Sequence, residues 1–296
     1  MHTPEVGPVD HSLITEVPPP MSLYRHRADI PASLLVLAVF CVQMWAFVAI
    51  HDPMHLAALV ALLMVVQVSC GAVCHNHHHV NLFTRPVLNR AIEVVMYLQT
   101  GTSPLSWTLH HNIGHHGDYL DQEKDPSRWQ ETDGRTMSRL KYDLLNAFLI
   151  YPEIWTIGRR HPVLFARFRR WLWISNAVLL ALVIVNPVST LIVFVVPMAL
   201  MLIVLLDNTY QQHSGLSTAH HYLASRNVEH PLYNLTSWNL GFHTAHHMYP
   251  GIHWSHLPAL HARIRAKIPP ALISQDLLPR LDHEIPREVP GDAVTD

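Results

Sequence analysis

Charge is scarce in this chain. Of its 296 residues only 14% are Asp, Glu, Lys or Arg and 49% are hydrophobic, whereas a soluble domain carries about a quarter charged residues. That balance argues against a soluble globule and for a membrane protein. Lys plus Arg number 20 against 22 for Asp plus Glu, a formal net charge of −2, so no basic excess marks a nucleic-acid partner. Cysteine is scarcer still. Cys41, Cys70 and Cys74 lie in or beside apolar runs, and the last two are spaced CxxxC rather than the CxxC of zinc or redox sites. They read as small buried hydrophobes and imply no disulfide framework. A GxGxxG fingerprint, a CxxC pattern and a His-Pro-Gly-Gly motif are all missing, so no nucleotide, iron–sulfur or cytochrome centre is expected on this chain. Nor is a cleavable signal peptide expected: residues 1–30 are polar and contain Val17-Pro-Pro-Pro20, which reads as a flexible tail ahead of a membrane anchor.

What the chain has instead is long apolar runs. Crossing a bilayer takes about 20 mostly apolar residues, and four stretches qualify or nearly so: 31–50, 54–74, 171–186 and 188–206. His51-Asp52-Pro53 separates the first two and Asn186-Pro187 the last two, which predicts two helical hairpins. Pro197 predicts a kink in the fourth helix. Neither hairpin tip carries Lys or Arg, whereas Arg25, Arg27, Arg159, Arg160, Arg167, Arg169 and Arg170 all lie on the other side. By the positive-inside rule both termini and residues 75–170 are expected to be cytoplasmic. Two shorter apolar stretches, 91–107 and 143–157, are expected to lie on the membrane or to cap a cytoplasmic domain. The expected layout is a tail over 1–30, an all-α integral membrane domain over 31–265 with a cytoplasmic helical cap, and a loosely ordered tail over 266–296.

Histidine is the composition's anomaly, with 25 residues, and it is the commonest metal ligand. Four groups fall on the predicted cytoplasmic side. His75-Asn-His-His-His79 closes the second apolar run, and on a continuing helix His75 and His79 stack at i, i+4. His78 shares that face at i+3 and stays open as an alternative. In His110-His-Asn-Ile-Gly-His-His116, His111 and His115 form an i, i+4 pair with His116 turned to an adjacent direction; His110 stays open beside His111. His213 follows the fourth run in Asn208-Thr-Tyr-Gln-Gln-His-Ser-Gly215. The last group is His243-Thr-Ala-His-His247. The nine candidates, His75, His79, His111, His115, His116, His213, His243, His246 and His247, are too many for one metal and enough for two. Imidazole suits Zn, Cu, Fe and Ni alike, so spacing alone does not choose the metal. A second Thr-Ala-His-His, ending in His220-His221, lacks the upstream histidine and is set aside as a pair that supports the ligands from behind or is incidental.

These residues resemble the membrane fatty-acid desaturase and hydroxylase superfamily, whose hallmark is three histidine boxes. The boxes stand here as His75–His79 with Phe83 following, His111–His116 with Asp125-Pro126 downstream, and His243–His247. The approach Asn227–Gly241, the sequel Ile252-His-Trp-Ser-His-Leu-Pro258 and the run 208–215 are also similar to that family. The resemblance spans roughly residues 30–265. Histidine at the first position of the last box departs from front-end desaturases, which have Gln there.

The resemblance implies two non-haem iron ions held by the nine histidines, O2 as co-substrate, and an acyl or lipid chain from which two hydrogens are removed. A hydroxylase or other oxygenase of the same superfamily, acting on a lipid, a carotenoid or a secondary-metabolite chain, is the alternative reading. A separate ferredoxin or cytochrome-type donor with its reductase would supply electrons, and a multi-pass location in a bacterial inner membrane is expected. Asp125, Asn239 and Asn208 are candidates to orient the imidazoles. A histidine-rich metal transporter or store is a third reading, but transporters place polar ligands within the membrane, and these apolar runs are nearly free of them.

Overall fold

The computed structural model describes residues 23–278; the outer parts of both expected tails lie outside them. The described residues are mostly helical, and among them four helices are long and apolar enough to cross a membrane: Asp29–Ala49 (α1), Pro53–His79 (α2), Pro162–Val185 (α6) and Pro187–His213 (α7). Between and after these spans lie Pro86–Thr100 (α3), a π-helix over Thr108–His115 that closes as one α turn at His116–Asp118 (together α4), Arg139–Arg160 (α5), Pro231–Thr236 (α8), His243–Met248 (α9) and Leu257–Ile264 (α10). Asn227–Val228 (β1) and Ile273–Ser274 (β2) pair in parallel.

The chain breaks expected at 51–53 and 186–187 act by capping. Asp52 accepts the His55 N–H ahead of Pro53, and Asn186 accepts the Ser189 N–H ahead of Pro187. An Asx cap followed by proline at the first helical position is a strong start signal. The spans outrun their apolar runs: α2 continues through His79, α6 begins at Pro162, and α7 continues through His213. Backbone hydrogen bonding carries a helix past the end of its apolar sequence, and the extensions of α2 and α7 carry histidines. α1 and α2 pack along each other, whereas α6 meets the fourth span mainly at its Pro187–Thr190 end and also lies on α3 and α5. Trp173 and Ile184 on α6 are each 75% exposed.

One expectation needs correction. The stretch 91–107 does not cap the molecule: α3 packs among α1, α2, α6 and α7, and its C-terminal half is buried. Gln99 Nε2 donates to Val36 O of α1, and Gln67 Nε2 of α2 donates to Gln99 O. Gln67 precedes His79 by 12 residues, roughly 18 Å of helix, so α3 re-enters the bundle. Gly101 turns the chain back at φ 72°, where a Cβ would stand 2.9 Å from Met198 O. Gln43, Gln67 and Gln99 are buried together, and Gln43 Nε2 donates to Gln67 Oε1 and Val193 O. Pro197 has no N–H for the carbonyl four residues earlier, and that carbonyl is Val193 O. Just ahead of the proline the helix widens into a π turn at Leu191–Val195.

The described ends of both expected tails are packed. Residues 23–25 pair with 82–84 through Arg25 N–H to Leu82 O and Thr84 N–H to Leu23 O. Residues 266–274 fold back, with Ile268 and Leu272 buried against α9 and α10 and β2 beside β1. Apolar residues between the prolines give that segment a face to bury.

Candidate metal centre

The site lies where the ends of α2, α4, α7 and α9 meet. α2 is helical through His79, so His75 and His79 share a face, with ring centroids 5.0 Å apart. His77 points away and bonds buried Glu93 at 2.9 Å, which in turn meets Arg90. His78 donates from Nδ1 to Cys74 O at 2.8 Å, and its Nε2 is buried without a partner. Of the first cluster, His75 and His79 are the residues whose ring nitrogens gather with those of His111, His116 and His246.

In the second cluster the helix type decides. A π-helix has a wider turn than an α-helix and often marks a functional site. His111 and His116, five residues apart, converge with Nε2 atoms 3.1 Å from each other. His115 stays stacked on His111, with ring centroids 5.1 Å apart as the i, i+4 spacing predicts, but its ring nitrogen joins a different group. His110 turns outward to Glu153 of α5 at 3.2 Å.

All nine candidates come together, in two adjoining groups. His75, His79, His111, His116 and His246 each place a ring nitrogen within 4.8 Å of the others, and His115, His213 and His247 do the same. His243 belongs beside the second group, its Nε2 lying 2.9 Å from that of His213 and 3.0 Å from that of His247. The groups touch through His116 and His247, whose rings stack at 4.1 Å.

Tautomers follow from the partners. A carboxylate or carbonyl can only accept, so His115 Nδ1 donates to Asp125 at 3.0 Å and His213 Nδ1 donates to Ala224 O at 2.7 Å. Both present a bare Nε2 to the second group. In the first group His75 Nδ1 faces Asn76 Oδ1 at 3.4 Å, while Asn76 Nδ2 donates to Trp238 O. Neutral imidazoles have one N–H and one lone pair each, and several lone pairs aimed at one point repel unless a cation lies between them. Burial, and then the neighbouring histidines, hold His111, His116, His243, His246 and His247 well below the ordinary imidazole pKa. They are neutral at physiological pH, the form that binds metal. The nitrogen donors thus fit two metal ions of the kind imidazole favours.

α9 is placed by a strained approach. Trp238 and Asn239 both take positive φ, 52° and 67°, conformations rare for residues other than glycine. A Cβ on Gly241 would meet Val228 O at 2.3 Å. Asn227 clamps the helix start, accepting the Thr244 N–H and donating to Thr244 Oγ1. Of the three orienting candidates, Asp125 bonds a cluster imidazole. Asn239 instead donates to Trp254 O, and Asn208 accepts from Tyr233.

Several contributors escaped sequence reasoning. Asn76 lies inside the first cluster, and nothing in the spacing separates its role from its neighbours'. Trp107 stacks on His111 at 4.8 Å, and Tyr119 lies 4.3 Å from His247 by ring centroids. His221, set aside with His220, hydrogen-bonds Tyr119.

Compared with known families, the chain matches the family model described as fatty acid desaturase over residues 53–278. That match runs past residue 265, in keeping with the packed segment 266–274. No curated protein matches the chain.

Proposed function

The chain belongs to the fatty acid desaturase family, and from that premise we propose that it is a membrane di-iron oxidase that desaturates an acyl or lipid chain. The observation that carries this reading is the pair of adjoining, all-histidine groups, five residues in one and three plus His243 in the other. His75, His79, His111, His116 and His246 would hold one iron, and His115, His213, His243 and His247 the other. When bound, the irons would use O2 and external electrons to remove hydrogen from unactivated C–H bonds. The protein's own residues do the rest. Asp125, Ala224 O and Asn76 hold the Nδ1 protons, so each Nε2 lone pair stays aimed inward. Trp107, packed on His111 and 3% exposed, screens the first group from water.

Orientation and electron supply belong to the same proposal. The exposed arginines of the α5–α6 corner, Arg159, Arg160, Arg167, Arg169 and Arg170, lie at the start of a spanning helix. Arginine there supports a cytoplasmic location for that end. Electrons would come from a separate ferredoxin or cytochrome-type donor with its reductase. The test has two parts. Metal analysis of the purified protein is expected to find two irons per chain, and zinc alone with no iron-dependent turnover would overturn the reading. Mass spectrometry of host lipids with and without the gene is expected to show products two hydrogens lighter; products one oxygen heavier would make the enzyme a hydroxylase.

A further inference from the structure

Tyr119 lies between the second histidine group and the surface. Its ring centroid is 4.3 Å from that of His247, 5.9 Å from His213 and 6.1 Å from His115, and it is only 5% exposed. Its hydroxyl is bonded to Nδ1 of His221. His221 is half-buried, and its ring lies 6.2 Å from that of half-buried His220, next to exposed Ala219. A continuous run of rings thus leads from the surface through His221 and Tyr119 to His247. Neither Tyr119 nor His221 belongs to the two nitrogen groups, so ligand geometry does not account for them. The two Thr-Ala-His-His sequences divide the work: 244–247 supplies candidate ligands, and 218–221 supplies the partner of a tyrosine that touches them.

Phenols give up an electron readily only when the phenolic proton has a base to receive it, and imidazole is a competent proton shuttle. We propose that Tyr119 and His221 form a one-electron relay between the external donor and the metal centre. Tyr119 passes one electron to the oxygen-oxidised centre while its O–H bond breaks and the proton moves to His221 Nδ1. One electron from the donor protein, with that same proton returning, restores the phenol. Each cycle moves one electron inward and leaves no net proton on the relay. In the absence of substrate the same step would divert oxidising power away from the ligating imidazoles.

The inference rests on the di-iron reading. Wild-type protein, Tyr119→Phe and His221→Leu are loaded with ferrous iron without air, mixed with O2 in the absence of substrate, frozen rapidly, and read by electron paramagnetic resonance alongside iron content. The expected result is equal iron in all three, a tyrosyl radical in the wild type, and loss of that radical in both variants. An iron-loaded wild type without the radical, or a radical that survives Tyr119→Phe, would overturn the relay. A wild type that takes up no iron would instead remove the di-iron reading and the relay with it, and the iron count tells these failures apart.

Discussion

Among single residues, Asp125 is the one whose removal is most informative. It accepts from His115 Nδ1 with both oxygens at 3.0 Å and also accepts the Ser127 N–H. Removing a carboxylate that orients a ligating imidazole typically costs about 10- to 100-fold in metal affinity. Asp125→Ala should weaken metal binding by about that much in a competition titration, and Asn208→Ala, which touches no cluster histidine, should leave it unchanged. Equal affinity in both variants would remove Asp125 from the site. At this scale the sequence was informative where helical repeats apply. Spacing gathers His75 and His79 at the end of α2, though it leaves His78 open beside them, and it gathers His243, His246 and His247 on the short α9. The partition of His111, His115 and His116 between two groups was hidden, since α-helical spacing does not describe a π turn. Asn76 and Tyr119 were hidden for another reason: their roles depend on partners 162 and 102 residues away, Trp238 and His221.

Among elements, the fourth span was legible as a helix, but not in its detail. Its π turn leaves Val193 O to Gln43, and a buried carbonyl deprived of its donor costs about 1–3 kcal/mol. Gln43→Leu should therefore lower the melting temperature of the detergent-solubilised protein. The same change should cost less in a Pro197→Ala background, where residue 197 regains an N–H. Additive losses would show that the two residues are not coupled. α3 was misread because length and polarity rule out a span but say nothing of re-entry, which depends on Gln67 and Val36 waiting in other helices.

The C-terminal segment is tied by Glu229. Its carboxylate meets His261, Arg265 and Gln275, and hydrogen bonding to Arg265, ahead of the other partners, lowers its pKa to about 2 from an ordinary 4.5. Since the folded value lies below the unfolded one, the carboxylate's contribution is complete above pH 4.5 and is lost as pH falls towards 2. Glu229→Gln should melt below the wild type at neutral pH, with the gap closing across that window. A gap that stays constant with pH would rule out this ion pair as its source.

On the scale of the whole molecule, membrane class, span number and the end of the bundle holding the histidines were legible, because apolar length and clustering are properties of sequence. The splayed α6 and the packed segment 266–274 were not, because both are set by what lies beside them. Ligand binding to the native state alone raises its stability. Stripping the metal with a chelator should therefore lower the melting temperature and release amide protection first in α9, the shortest helix of the site. Unchanged melting after complete metal loss would mean that the histidines hold their places unaided.

The division of the two groups also sets when each can form. One draws on residues 75 to 116 and then on His246; the other draws on His115, His213 and His247. Neither is complete until α9 has been synthesised, long after α1 and α2 are available for insertion. On the proposed di-iron reading, metal capture would be an event of the finished chain. The early histidines must pass through synthesis without their late partners, and a chain cut short before residue 243 could be fully inserted in the bilayer and still have no complete group in which to hold a metal.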